Sequence, residues 1–598
     1  MKSLINKHDP VVTVSSEISS FKSFVEVKTI EEDVFEIHIR LTAGRKQVPP
    51  IHHIRWSHPA IDIHSLWHPG TDRNKAFQVD WGEGFQSKNT SLAPAACLYN
   101  LEGRSRLTFA FSDALNHLAI KAGIHEEDAT FLCSITLFEE PMPEIDHYEA
   151  VLRIDRRDLP YYVTLRDVSK WWETFPEFLP ANVPEAALQP MYSTWYSFHQ
   201  ELSASELERQ SELARSIGCE SIIVDDGWQT DDNNRGYAYT GDWEVCAEKI
   251  PDMRKHVDAV HEQGMNYMLW YSVPFVGINS RTWSRFEGKY LGINEKLNAS
   301  VLDPRFPEVR EYLINIYEQA VKEWNIDGLK LDFVDSFQLS PDMKDELGNG
   351  RDYHSVPEAV DRLLTDVMAR LREIKPDILI EFRQTYIGPL MRKYGNMLRA
   401  NDCPNDSIQN RIRTMDIRLL SGNTAVHSDM IMFHANEPVE SAAMQLINVL
   451  FSVPQISVRL DEIGPHHLDM LRFWLAFCKE HRELLLKGEL LPQGPELMYP
   501  LISARDRSSQ ITAVYADMVV EVHDEWDRLI IVNGTYHDRL AVRSGLDHVL
   551  YHVVTRDCRG QIVQSYELDL HKGLHEVSVP RAGVVSFQRV LTFPPKSP

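Results

Sequence analysis

Apolar and polar positions alternate with a period of two, or apolar residues run together, in "FKSFVEVKTI", "VFEIHIRLTA", "SRLTFAFSDA", "TFLCSITLFE" and "YEAVLRID", with Gly, Pro, Asp and Asn between the runs. Alternation of this kind marks half-buried strands, and a series of them predicts a β-sandwich over residues 1–185. From residue 186 the texture changes to short apolar runs separated by segments of period 3.6, and near residue 500 it changes back. The tail, with "QITAVYADMVVEVHD", "DRLIIVNGTY", "VLYHVVTRD" and "GVVSFQRVL", predicts a small antiparallel β-domain over 496–598.

The middle section, 186–495, contains eight strand candidates: "PMYSTWYSF" (190–198), "SIIVDDGW" (221–228), "MNYMLWYSV" (265–273), "GLKLDFV" (328–334), "DILIEFRQ" (377–384), "NMLRAND" (396–402), "TAVHSDMIMF" (424–433) and the run from "INVLFSV" to "ISVRL" (447–460). Helices lie between them. "SASELERQSELARSIG" opens on a capping-box pattern, Ser203 to Glu206, and closes on Gly218. "PEVREYLINIYEQAVKEW" puts Val309, Leu313, Ile316 and Ala320 on one stripe, and "PEAVDRLLTDVMARLREI" does the same with Val360, Leu364, Val367 and Leu371. Eight strands alternating with helices predict an α/β fold, a (β/α)8 TIM barrel between two β-domains. A doubly wound sheet would favour a GxGxxG turn, and the sequence has none.

At 598 residues the chain is too long for a single core. Its 62 Lys and Arg against 87 Asp and Glu give a net charge of −25, which argues against nucleic acid or an anionic membrane as partner. A neutral substrate is the expectation. The opening "MKSLINKHDP" has no apolar core of a leader, and no long apolar run follows, so neither signal peptide nor membrane span is expected. Seven scattered cysteines without CxxC or Cys/His spacing predict reduced, buried thiols in a cytoplasmic protein, with no zinc site.

Charged residues interrupt the apolar strands at their carboxyl ends: Asp225, Asp226 and Trp228 on the second, Trp270 on the third, Lys330 and Asp332 on the fourth, Glu381 and Arg383 on the fifth, Arg399 and Asp402 on the sixth, Asp429 on the seventh. That end of a barrel carries the chemistry. A buried charge costs several kcal/mol unless it is paired, so independent structural reasons for so many are improbable. Acids and aromatic faces without a phosphate loop suit a sugar, whose hydroxyls bond to Asp, Lys and Arg while Trp stacks on the ring. Glycoside cleavage needs two carboxyls, and Asp332 and Asp402 are placed to face each other across the mouth. Lys330 shares a strand face with Asp332 and would keep it ionised. Asp327, at the strand's other end, reads as scaffold, and Asp335 is left open.

Plainer readings exist for each. Asp406 is the rival of Asp402, Asp225 and Asp226 could cap a helix, and Trp195, Trp228 and Trp270 could be barrel packing. His427 and His434 read as core histidines. "DRNKAFQVDWGEGF" reads as solvated surface, and the histidine-rich tract 52–69 as sandwich loops.

"IIVDDGWQ", "GDWEV", "KIPDMRKHVDAVHEQGMNYMLWY", "SVLDPRFPEVREYL", "GLKLDF" and "RANDCPNDSIQNR" together resemble, in order, the motifs of melibiase-type α-galactosidases of glycoside hydrolase family 36, clan D. "SDMIMFH" is closer to the raffinose-synthase-like branch. The resemblance covers residues 186–490. It implies a retaining α-glycosidase, most simply an α-galactosidase, with no cofactor or metal, Asp332 as nucleophile and Asp402 as acid and then base. Asp225, Asp226, Trp270, Lys330 and Trp195 would bind the sugar of an oligosaccharide or glycoside. Assembly of family members through their β-domains implies a homo-oligomer. Two segments depart from the pattern: "EFRQTY" replaces a Cys-Ser-Gly-like segment, and "YSVPF" replaces Glu-Pro-Glu. Arg383 is thereby a candidate to recognise another hydroxyl pattern, an N-acetyl group or a carboxylate. The alternatives are an α-N-acetylgalactosaminidase, an α-glucosidase, a transglycosidase, or a non-catalytic carbohydrate-binding barrel.

Overall fold

The computed structural model describes residues 9–590 except 19, 141, 340–347, 349 and 384. Gln384 of "EFRQTY" and residues 1–8, on which the leader expectation rests, therefore lie outside the described residues. No helix among the described residues is long and apolar enough to cross a membrane, and the seven cysteines stand free.

The N-terminal strands form two six-stranded sheets. Their inward positions, among them Ile37, Ile39, Leu41, Ile54, Trp56 and Phe109, make a separate core. The tract 52–69 is a correction to the loop reading: His52–Pro59 is a strand with His52, Ile54, Trp56 and His58 turned inward. Histidines at apolar positions hid its period of two. Burial holds the His58 imidazole down at about 4, so it sits neutral in the sandwich. A helix not foreseen, Tyr161–Trp172, buries Tyr161, Leu165, Val168 and Trp172 and leads into the barrel.

The barrel strands are β1 (Met191–Ser193), β2 (Ser221–Val224), β3 (Asn266–Ser272), β4 (Gly328–Asp332), β5 (Leu379–Arg383), β6 (Met397–Arg399), β7 (Ala425–His427) and β8 (Gln455–Ile456). They form one parallel eight-stranded sheet in this cyclic order. The bonds Val453 N to Val426 O (2.8 Å) and Ser428 N to Val453 O (2.9 Å) close β7 towards β8. Gly328 is required on β4, because a Cβ there would lie 2.6 Å from the Leu379 carbonyl of β5. The apolar runs overestimate strand length. "INVLFSV" is mainly the buried end of a helix, Val439–Asn448, and the loop after it, so only Gln455 and Ile456 make the eighth strand. A short apolar run does not distinguish these cases.

Between strands, α1 (Ala204–Ile217) ends on Gly218 at φ +112°, the left-handed stop foreseen. The capping box is incomplete: Ser203 Oγ donates to Glu206 (2.7 Å), and no backbone amide bonds to the Ser203 side chain. In α3 (Val356–Ile374; α2 is Pro307–Trp324) the stripe Val360, Leu364, Val367 and Leu371 is buried, and Ser355 Oγ accepts from Glu358 N. The C-terminal sheet has eight strands. It is mixed, not purely antiparallel, since Ser509–Val514 runs parallel to Arg528–Asn533.

The three β and α/β parts meet at Asp416, on helix Ser407–Arg418 of the barrel. Its carboxylate accepts from Lys75 Nζ (2.9 Å) and Trp67 Nε1 (2.9 Å) of the sandwich and from Tyr499 OH (2.5 Å) at the start of the C-terminal sheet. Lys75 belongs to the run read as solvated surface, yet its side chain is 1% exposed. That reading fails because a buried lysine with a dedicated acid looks, in sequence, like any surface lysine. Nearby, Arg73 pairs with Asp406 (2.6 Å), and Arg413 with Asp72 (2.9 Å).

Candidate active site

Asp332 ends β4, where the barrel opens. Phe333 follows in the left-handed region (φ 61°, ψ 20°). An aromatic residue there is strained by on the order of 1 kcal/mol. The bend turns the Phe333 amide back onto Asp332 Oδ1 (2.8 Å) and sets its ring under the Arg383 guanidinium, 4.8 Å from ring centre to Cζ. Oδ1 also accepts from Arg383 Nε (2.6 Å) and from Tyr386 OH (3.3 Å). Oδ2 accepts from Trp270 Nε1 at 3.1 Å. One carboxylate oxygen is thus fixed by three donors, and the other is held by one.

Burial alone would raise the Asp332 carboxyl, but Arg383, then Lys330, and the Trp270 bond outweigh it and bring it down to about 2. The counter-charge in contact is Arg383. Lys330, expected beside Asp332, instead bonds Asp225 Oδ2 at 2.5 Å and acts on Asp332 through space. Parity along β4 is as read, but an acid on the neighbouring loop, Asp225, takes the Lys330 contact.

Asp225 and Asp226 stand just past β2 and are both buried. Asp225 N donates to Thr194 Oγ1 (2.9 Å), and Asp225 Oδ1 accepts from Asp226 N (3.0 Å). Asp226 accepts from Gln200 Nε2 and Gln229 Nε2, each at 2.7 Å. Burial, with the neighbouring Asp225 charge adding and the two amides opposing, raises its carboxyl to about 6. Neither residue caps a helix.

Asp402 lies beyond β6, and Arg399 Nη2 is 3.0 Å from its Oδ1. Its side chain is 38% exposed, more open than Asp332 at 9%. Burial raises this carboxyl and Arg399, Lys330 and Arg383 lower it, with a net shift below the usual range; the Asp332 charge acts in the opposite, raising sense. Asp406 is the N-cap of helix Ser407–Arg418, accepting from Gln409 N. Arg399 Nη1 also bonds Asp429 Oδ1 (2.6 Å), and Asp429 Oδ2 accepts from Cys403 N (2.7 Å) and Tyr196 OH (3.0 Å). Asp429 is wholly buried and its carboxyl raised by that burial. It pairs with the same guanidinium that holds Asp402. Glu381, equally buried, bonds Gln455.

Trp270 is 1% exposed and packs against Tyr237 (6.0 Å, 25°), so its ring offers no open stacking face; its N–H holds Asp332. Trp228 is fully buried and donates to Trp270 O (3.0 Å). Trp195 starts a short helix after β1, half-buried against His199. Asp327 is scaffold: it accepts from Tyr267 N (2.8 Å) and Lys375 Nζ (2.7 Å) and meets His261 Nε2 (2.7 Å). Asp335 is half-buried in the turn after β4. Burial raises its carboxyl, and Lys88 of the sandwich bonds its carbonyl (2.8 Å). His427 bonds Ala187 O (2.8 Å), a core histidine as read, whereas His434 is exposed.

Sequence reasoning missed Tyr386, Gln200, Gln229 and Tyr196. Tyr386 follows Arg383 by three residues and Gln229 follows Asp226 by three, but an uncharged donor carries no signal comparable to a charge inside an apolar strand.

Residues 184–393 match the melibiase family model, which bears out over that stretch the resemblance carried by the motifs. The chain is 27% identical over 202 residues to α-galactosidase Mel36A of Lactobacillus acidophilus, covering 32% of this chain and 26% of that protein. It is 24% identical over 198 residues to the A type blood α-D-galactosamine galactosaminidase of Flavonifractor plautii, covering 29% and 17%. These matches span about a quarter or less of the curated relatives. The GH36 α-galactosidase AgaA of Geobacillus stearothermophilus superposes with a TM-score of 0.65 at 13% identity, covering 98% of this chain and 88% of that one. A substituted AgaA, TM-score 0.64 at 13% identity with the same coverage, was solved in complex with raffinose. The shared fold, a barrel between two β-domains, is as expected from the sequence.

Proposed function

We propose that this chain, whose residues 184–393 match the melibiase model, is a retaining α-glycosidase that hydrolyses terminal α-galactosides of oligosaccharides or glycosides. The observation that carries the reading is the asymmetry of the Asp332 carboxylate, held well below the usual range by Arg383 and with Oδ1 fixed by three donors. A carboxylate nucleophile attacks through one of its oxygens, and the oxygen held by fewer donors gives up less to do so. Oδ2 is that atom.

In the first step Oδ2 attacks the anomeric carbon from the β face, and Asp402 gives its proton to the departing oxygen, leaving a β-glycosyl ester on Asp332. In the second, Asp402 takes a proton from water, which attacks the same carbon as its bond to Asp332 Oδ2 breaks, so the carboxylate is released and the α configuration restored. The charges support this exchange of roles. While Asp332 is ionised its charge raises the Asp402 carboxyl. Esterification removes that charge, so Asp402 becomes a weaker proton holder when it must act as base. Asp225, Asp226 and Lys330 are the groups for the sugar hydroxyls, Trp195 the aromatic face at the rim, and Arg383 and Trp270 position the nucleophile. Free cysteines support a reducing, cytoplasmic setting.

The test is nitrophenol release from aryl α-galactoside, α-N-acetylgalactosaminide and α-glucoside by the wild-type chain and by Asp332→Ala. Turnover of the galactoside that disappears in the variant supports the reading. Equal turnover by both sinks the site, and a preference for another sugar sinks the substrate. The galactosaminidase relative makes the second glycoside the informative competitor.

A further inference from the structure

Outside the barrel, strands Arg539–Arg556 and Ile562–Ser578 form a long ribbon in the C-terminal sheet. Ile562–Ser578 is an edge strand there: among the described residues its one partner is Arg539–Arg556. The pairing is broken by a bulge between Ser544 and His548, and where it resumes His548 stands opposite His571. Asp569, two residues before His571, points to the same face.

We propose that His548, Asp569 and His571 bind a divalent transition metal of the zinc class, as a clip across the ribbon next to the bulge. Among the described residues this is the group of His, Cys, Asp and Glu side chains whose ligand atoms, one from each, all lie within 4.8 Å of one another. The two imidazoles are stacked, with centroids 5.6 Å apart and planes at 23°. His548 Nδ1 is 2.7 Å from Asp569 Oδ2. Zinc at about 2.0–2.2 Å from each N or O ligand spaces tetrahedral ligands by roughly 3.3–3.6 Å, and here the ligand atoms lie within 4.8 Å of one another, with one pair at 2.7 Å. Small side-chain rotations therefore suffice.

The surroundings fit as well. His571 Nδ1 lies 3.1 Å from the Asp569 carbonyl oxygen. An N–H there, donated to the carbonyl, leaves Nε2 with the lone pair, as in metal-bound histidines held by a backbone acceptor. His575, whose ring lies 4.7 Å from that of His571, borders the position left for water or a fourth ligand. The exposure of all three residues gives an ion direct entry. Without a metal the same residues would be a surface His–Asp pair, worth little in water. The site contains no group of the barrel mouth, so its role is to hold two strands together where their ladder is interrupted.

The full chain, freed of metal by a chelator, is titrated with zinc chloride in a calorimeter. One equivalent is expected for the wild type. His548→Ala and His571→Ala are each expected to weaken it by more than about tenfold. Amide exchange along 562–578 should slow with zinc in the wild type and not in the variants. Both histidines are exposed, so the variants should fold, which an unchanged thermal midpoint of the metal-free chain would verify. Equal zinc affinity in wild type and both variants, or no saturable uptake by the wild type, overturns the proposal.

Discussion

Arg383 Nε stands 2.6 Å from Oδ1 of Asp332, and it is the nearest cation to that carboxylate. Strand β5 thus supplies the counter-charge that sequence parity assigned to Lys330 on β4. Replacing Arg383 by Ala removes a charge-assisted hydrogen bond, worth about 1.5–3 kcal/mol, so kcat/KM should fall about tenfold or more. The acid limb of its pH profile should also move upward. A galactoside preference that changes while the acid limb stays fixed would assign Arg383 to the sugar instead.

The depressed Asp332 carboxyl sets a second expectation. Its charge is lost only as pH falls towards about 2. The wild-type acid limb therefore should not contain an Asp332 titration above about pH 3, one unit beyond that value. Asp402, lowered by Arg399, is protonated in a small fraction of molecules at neutral pH. Turnover of a glycoside with a poor leaving group should therefore rise as pH falls, while a nitrophenyl glycoside, which needs little acid assistance, should respond less. Parallel profiles for the two substrates would contradict the acid assignment.

Asp226 offers a stability test of opposite sign. Its folded carboxyl sits near 6, above the unfolded value, so the folded state holds the proton more tightly. Stability relative to Asp226→Asn should therefore decline as pH rises from 4 to 6, by up to about 3 kcal/mol. Paired thermal melts at pH 4 and pH 7.5 measure it. A difference that does not change with pH would show that the carboxyl is not buried as described.

Asp416→Ala leaves Lys75 buried without its acid. Breaking such a pair costs about 3–5 kcal/mol, and the loss falls on all three parts of the chain because Trp67 and Tyr499 lose the same acceptor. Calorimetry should show a lowered midpoint, with earlier melting of the sandwich or C-terminal sheet. A variant as stable as the wild type would remove Asp416 as the junction.

What the sequence disclosed follows from how each residue departs from its surroundings. Asp332, Arg399 and Asp225 are charges next to apolar strands, and such placements have few explanations. Asp327 was legible as scaffold because it lies at the far end of β4. Lys75 was hidden because its acid is 341 residues away. His52 and His58 masked a strand by occupying positions that apolar residues would have marked. Ile447 and Asn448, the buried end of helix Val439–Asn448, read as strand because the apolar run continues from them into the loop with no change of texture. The strain at Phe333 has no sequence signal, since any residue can be forced into that turn by the contacts around it.

The central claim is that Asp332 forms a covalent bond to the sugar. An activated fluorinated α-galactoside that stalls the second step should leave its mass on one peptide of the wild-type chain, the one containing Asp332, and on none from Asp332→Ala. A label on another residue, or turnover with no trapped ester, would contradict the account.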